Sequence, residues 1–123
     1  MCWNCISRKR WEYKMTYTDI AKMMEQMHLP FAYHHFERGK APPLPYFVFY
    51  YDGRSDFSAD NHAYQKIVEV TLELYSNQKD FKSESQIESV LERNEIVYDK
   101  TEEYISSEKM FEQIYEFELL LEG

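Results

Sequence analysis

The first apolar rhythm along the chain is helical: Ile20, Met23, Met24 and Met27 recur at i, i+3, i+4 and i+7. Thr16 or Thr18 can accept the orphan N–H groups at its start, and Asp19 lies in the first turn, where the helix dipole favours an acid. Leu29-Pro30 is expected to end it, because the residue before proline is pushed out of the helical region. PFAYHHFE at 30–37 predicts an extended strand, and ERGKAPPLP a proline-rich loop. A second strand follows at 46–52, then a polar connection, GRSDFSADNH, at 53–62. Residues 63–75 carry the clearest period of two: Val68, Val70, Leu72 and Leu74 face one way, Glu69, Thr71 and Glu73 the other. S-E-S-Q at 83–86 reads as a capping box for a second helix, with Ile87, Val90, Leu91 and Phe81 as its buried stripe. Residues 96–106 predict one strand, bent near Asp99, and 110–122 a last one with Phe111 to Leu121 alternating against Glu112 to Glu122. The order α-β-β-β-α-β-β implies an α+β domain: a mostly antiparallel sheet of about five strands with two helices packed on one face.

One strand breaks the alternation. Tyr46, Phe47, Val48, Phe49, Tyr50 and Tyr51 run without a polar residue before Asp52. A strand with one wet face should alternate, so something must cover the second face. Either the chain covers it itself, by an arm or a loop, or a neighbouring subunit does. The expectation here is that the six side chains divide between the subunit's own core and an intermolecular contact.

Composition narrows the class. At 123 residues the chain is expected to be one domain with a core of its own. No apolar run reaches the roughly 18 residues that span a bilayer, and MCWNCISRKRWEYK lacks a secretory apolar stretch, so the expected location is a cytoplasm or a particle assembled there. Arg8, Lys9, Arg10 and Lys14 against Glu12 give residues 1–14 a charge of +3, leaving −11 on the rest of a chain whose total is −8. Residues 1–14 therefore read as a basic arm or extension and 15–123 as the domain; Met15 precedes the helix start, and translation could begin there. So acidic a domain lacks the basic footprint of a nucleic-acid binder. Eleven Tyr and eight Phe in 17% aromatic content suit protein–protein contacts as well as a core.

Catalytic chemistry finds little footing. Cys2 and Cys5 form a C-x-x-C with no preceding strand and no second pair, so incidental thiols are the default reading. His34 and His35, on a strand, would point to opposite faces and could not share an ion; His62 falls in the polar loop. Asp52, Asp56 and Asp60 lack the alternation and closing glutamate of a calcium loop. There is no G-x-S-x-G elbow, and three glycines cannot build a phosphate cradle. The chain is not expected to be an enzyme or to hold a metal or cofactor. Glu69, Glu73, Glu112, Glu116 and Glu118 are expected on the face away from the helices. They form either a solvated face or the wall of a channel whose charge keeps DNA from sticking.

LPFAYHHF at 29–36, the proline loop, PYFVFYYDG at 45–53, FSADNHAY at 57–64, VEVTLELYS at 68–76, ESVLE at 88–92 and YEFE at 115–118 follow in a particular order. Over about residues 16–121 the chain resembles a family of small proteins of long-tailed phages and prophages of Gram-positive bacteria. These are the tail terminators, also called tail completion or head–tail joining proteins. The resemblance implies an α+β domain that forms a ring, expected as a hexamer, on the head-proximal end of the tail tube. There the ring stops polymerisation and joins the tail to the head. It implies as partners further copies of the chain, the major tail tube protein and a head-closure or connector protein, with DNA passing through unbound and no membrane. The implied location is the virion's head–tail junction, reached from the host cytoplasm. Within that reading, Tyr46, Phe47, Phe49, Tyr50, Tyr51, Arg54, Asp56 and Phe57 are the candidate subunit or tube contacts, and the five strand glutamates the candidate lumen. A head-closure subunit of the same junction and a free-standing ligand-binding domain are the alternatives.

Overall fold

A computed structural model describes residues 14–54, 57–58 and 64–121. The elements run β1 (Lys14–Met15), α1 (Tyr17–Glu25), β2 (Phe31–Tyr33), β3 (Tyr46–Arg54), β4 (Phe57–Ser58), β5 (Tyr64–Ser76), α2 (Phe81–Arg93), β6 (Tyr98–Ile105) and β7 (Met110–Leu121). Leaving aside the two-residue strands, this is α-β-β-β-α-β-β, an α+β fold. In the sheet β5 lies at the centre between β3 and β7; β2 closes one flank, while β6 and the short β1 pair β7 on the other. Pairing is antiparallel except for β1 on β7 and β2 on β3.

The core lies between this sheet and the two helices. Ile20, Met23, Met24 and Met27 from the α1 segment and Ile87, Val90 and Leu91 from α2 bury against Phe47, Phe49, Val68, Val70, Leu72, Leu74, Tyr115 and Phe117. Met15 is buried too, so the fold begins at least at β1 and takes in Lys14, one residue inside the expected arm. Cys2 and Cys5 lie outside the described residues.

Caps explain the helix ends, and they correct several expectations. Thr16 caps α1 in a capping box: its hydroxyl accepts from the Asp19 N–H, and the Asp19 carboxylate accepts from the Thr16 N–H. Those bonds, the backbone one first, hold Asp19 below the usual carboxylate pKa. The helix stops at Glu25, before Leu29-Pro30, because the chain turns through Met27 and puts His28 at φ 59. α2 starts earlier than S-E-S-Q: the Asp80 side chain accepts from the Ser83 N–H and caps it. Phe81 therefore sits in the first turn and is exposed, outside the buried stripe. The far end is a Schellman turn, with Glu95 at φ 60, Glu95 N–H on the Glu92 carbonyl and Ile96 N–H on the Leu91 carbonyl. β2 is shorter than 30–37, since His34 at φ 72 leaves the strand. β6 runs unbent through Asp99, and part of the polar connection forms β4 on β5.

A polar network fastens α2 to β6 and β7. Buried Glu84 receives Lys100 Nζ at 2.7 Å and Lys79 Nζ at 3.2 Å on one oxygen. Its other oxygen lies 3.0 Å from the Lys79 ammonium without hydrogen-bond geometry. Lys100 also reaches Glu88 at 2.6 Å, Lys79 reaches Glu102 at 2.6 Å, and Tyr115 donates to Glu88 at 2.8 Å. Burial pulls the Lys100 ammonium down, but its bonds to Glu84 and Glu88 outweigh this and raise its pKa above the ordinary lysine value. Burial, then the Glu88 carboxylate, pushes the Tyr115 hydroxyl well above the usual tyrosine value.

Candidate functional site

The face away from the helices is the candidate site, and register fixes its composition. Across β5 and β7, Glu69 stands directly opposite Glu118, Thr71 opposite Glu116, Glu73 opposite Ile114 and Tyr75 opposite Glu112. Across β7 and β6, Glu116 faces Asp99 and Glu112 faces Glu103. Three like-charged pairs are thus in direct register: Glu69–Glu118, Glu116–Asp99 and Glu112–Glu103. Outward positions of β3, β5, β6 and β7 hold no lysine or arginine. All five sequence-predicted glutamates occupy this face, as the period of two requires. Asp99, Glu103 and Asp52 join them; the first two were missed because a bend was expected at Asp99.

The acids fall into two neighbourhoods. Asp52, Glu69, Asp99, Glu116 and Glu118, with Val97 and Tyr98, line a shallow hollow of about 330 Å³. Thr71 donates its hydroxyl to Asp52, one of the acids that line the hollow. Among the described residues no group of three or more metal-ligating side chains converges, here or elsewhere.

The second neighbourhood is drier. Tyr50 donates to one oxygen of Glu73 at 2.9 Å and Tyr75 to the other at 2.8 Å, while the Tyr75 hydroxyl also stands 3.2 Å from Glu112. One hydroxyl proton cannot serve both carboxylates fully. Burial first, then the Glu73 charge, raises the Glu112 carboxyl above its ordinary pKa. Burial and the bond to Glu73 push Tyr50 up to about 12, so it remains a donor.

Strand β3 answers the question of its second face. Phe47 and Phe49 point inward and are core residues; Phe47 stacks on Phe31 at 5.1 Å. These two of the candidate contact residues therefore belong to the subunit's own core. Val48, on the outer face, is buried as well, beside the layer made by Tyr46, Tyr50 and Tyr75. Tyr46 lies 5.1 Å from the Phe36 ring and 5.7 Å from Tyr75, and Tyr51 packs between Tyr17 and Tyr33 at the inner rim. The chain itself therefore covers both faces, with the three tyrosines half-buried. Arg54 and Phe57 stand in β3 and β4; Asp56, Asp60 and His62 lie outside the described residues.

His34 and His35 also depart from expectation. With His34 off the strand, their Nδ1 atoms approach to 3.1 Å on one side of the molecule, one ring donating to the other.

No protein-family model matches the chain, and no curated protein matches its sequence. What is established is the α+β fold and its acidic sheet face. No helix among the described residues is long and apolar enough to cross a membrane.

Proposed function

We propose that this chain is a structural subunit of the tail terminator kind, caps the head-proximal end of a phage tail tube as a ring, and turns its acidic sheet face toward the passing DNA. The observation that carries the reading is the set of three carboxylate pairs in direct register with no cation among them. Like charges placed opposite each other destabilise a sheet. A merely solvated face would be as soluble, and more stable, with lysines interspersed. Such an arrangement serves a role that needs a uniform negative field, and repelling a polyanion is one. The sequence resemblance supplies the setting: ring, tube end and junction.

A tube end presents the same surface at every layer, and a terminator matches it on one side only. Its opposite side must differ chemically, so no further tube subunit adds. The hollow on the acidic face is polar and open, unlike the apolar pocket with a few convergent polar groups that a ligand-binding domain would carry.

Loss of the gene from its virus tests this. Overlong tails are the expected result. Normal tails beside DNA-leaking heads would assign the chain to head closure instead, and normal virions would refute a role at the junction.

A further inference from the structure

Successive side chains on a strand point to opposite faces, and two histidines so placed could not share an ion. His34 and His35 are not so placed. β2 ends at Tyr33, and His34, at φ 72, is the middle residue of a three-residue turn closed by the His35 N–H on the Tyr33 carbonyl at 2.8 Å. A turn of that hand is rare, and it is strained for a residue with a Cβ. It is imposed by the sheet, because the His34 N–H donates to the Phe49 carbonyl at 2.7 Å and so carries the β2–β3 contact one residue further. Strain of this kind persists only where the surroundings enforce it, and it gathers at ligand sites.

Its consequence here is that two imidazoles meet by their nitrogens. The rings lie perpendicular with centres 5.2 Å apart, and the Nδ1 atoms face each other at 3.1 Å. Bonds of about 2.05 Å from each nitrogen to one ion would give an N–ion–N angle of about 98° at that separation. That angle lies between the tetrahedral value and the right angle of tetragonal copper(II) and nickel(II) sites. Both residues are exposed, so an ion reaches them from water. His34 packs on Tyr50, with ring centres 5.5 Å apart, and the Tyr50 hydroxyl meets Glu73 on the outer face. The pair therefore stands at the border of the acidic face, whose field concentrates cations.

We infer that His34 and His35 form a two-histidine site for a divalent first-row transition ion, held through both Nδ1 atoms, with copper(II) bound more tightly than zinc. The order of the metals follows from the general preference of nitrogen donors. In the hydrogen-bonded pair one ring carries its proton on Nδ1 and donates it to the other. On binding, that ring takes the Nε2–H form through exchange with water, so both Nδ1 lone pairs reach the ion and no net proton is lost. Only two protein ligands converge, since no group of three does so among the described residues. Water fills the remaining positions, and the ion exchanges readily, unlike one locked in a four-ligand structural centre. The site does not depend on the ring reading above.

Metal titration of the untagged chain tests it, with Cys2 and Cys5 changed to Ser so that thiols do not compete. Calorimetry with copper(II), and separately with zinc, should show one ion per chain bound in the micromolar range, copper the tighter. His34→Asn, which tolerates the left-handed backbone, and His35→Gln should each weaken binding at least about tenfold, with circular dichroism checking the fold. His28→Asn and His62→Asn should leave it unchanged. In long-range proton–nitrogen correlation spectra, saturating zinc should bring both rings to the Nε2–H form, a change that an ion held only by surface carboxylates would not produce. Binding no tighter than millimolar, full binding by either His34→Asn or His35→Gln, an equal loss in His28→Asn or His62→Asn, or rings unchanged by zinc would each overturn the site.

Discussion

Glu118 offers the most direct measurement of what the acidic face costs. Its side chain is exposed on β7, directly opposite Glu69 on β5 and two residues from Glu116 on the same face. Opposed residues in an antiparallel pair bring their Cβ atoms to roughly 5 Å, and flexible carboxylates settle about 6 Å apart. At that distance the repulsion in water is about 0.7 kcal/mol. Changing Glu118 to Lys removes it and adds an attraction of similar size; screening at physiological salt cuts the sum to about 0.5–1 kcal/mol. For a chain of this length that raises the melting temperature by about 2–4 °C. Glu118→Gln, which removes only the repulsion, should give about half.

Urea unfolding of wild type, E118K, E69Q and the double variant closes a cycle that isolates the pair. The stabilisation should shrink strongly in molar salt, where the screening length falls to about 3 Å. A destabilised E118K, a gain untouched by salt, or zero coupling to Glu69 would refute the claim that this face is held at a cost in stability.

Three further outcomes follow from other parts of the fold. Glu84→Gln leaves Lys79 and Lys100 without their shared anion; since both ammonium groups are about a third exposed, the loss should be about 2 kcal/mol, below the 3–5 of a fully buried pair, read by urea midpoint. The Glu112 carboxyl titrates higher in the folded state than in the unfolded chain, so the native state holds the proton more tightly. Its contribution is therefore most favourable below the unfolded carboxyl pKa and declines as pH rises through the folded one. Glu112→Gln should flatten that decline and raise stability at neutral pH, with no gain in acid, in urea melts across pH. Glu95→Gly should stabilise by about 1 kcal/mol, because a residue with a Cβ is strained at φ 60; a loss in thermal melting would contradict the Schellman assignment.

Much of the architecture could be read from periodicity, and the errors lie at element boundaries. Ile20 to Met27 and Val68 to Leu74 keep their period over enough residues to fix both element type and buried face. Two misplaced boundaries lie where a single residue takes a left-handed backbone conformation, while the start of α2 was misplaced because Asp80 caps it ahead of S-E-S-Q. His28 and His34, at positive φ, end α1 and β2 early, yet neither is a glycine or asparagine that would have marked the turn. The His34–His35 contact was missed for the same reason, since the argument that neighbouring strand residues diverge fails once His34 leaves the strand. Asp99 and Glu103 were on the outer face all along, and a continuous β6 places them there.

The run from Tyr46 to Tyr51 was the feature from which assembly was expected, and its resolution shifts where assembly should be sought. A strand can lack a polar residue and still present polarity if its outward side chains are tyrosines. Tyr50 keeps its ring in the layer beside Val48, and its hydroxyl reaches Glu73, which Tyr75 grips from the other side. Polarity has moved from the strand position to the ring tip, and the second face is covered without a neighbour. The aromatics left bare are those at the sheet's flanks, Tyr17 and Tyr33 beside one edge and Phe81 and Tyr104 beside the other. Contact surface is therefore to be sought at the sheet's edges, where the outer strands β2 and β6 each have a neighbour on one side only among the described residues.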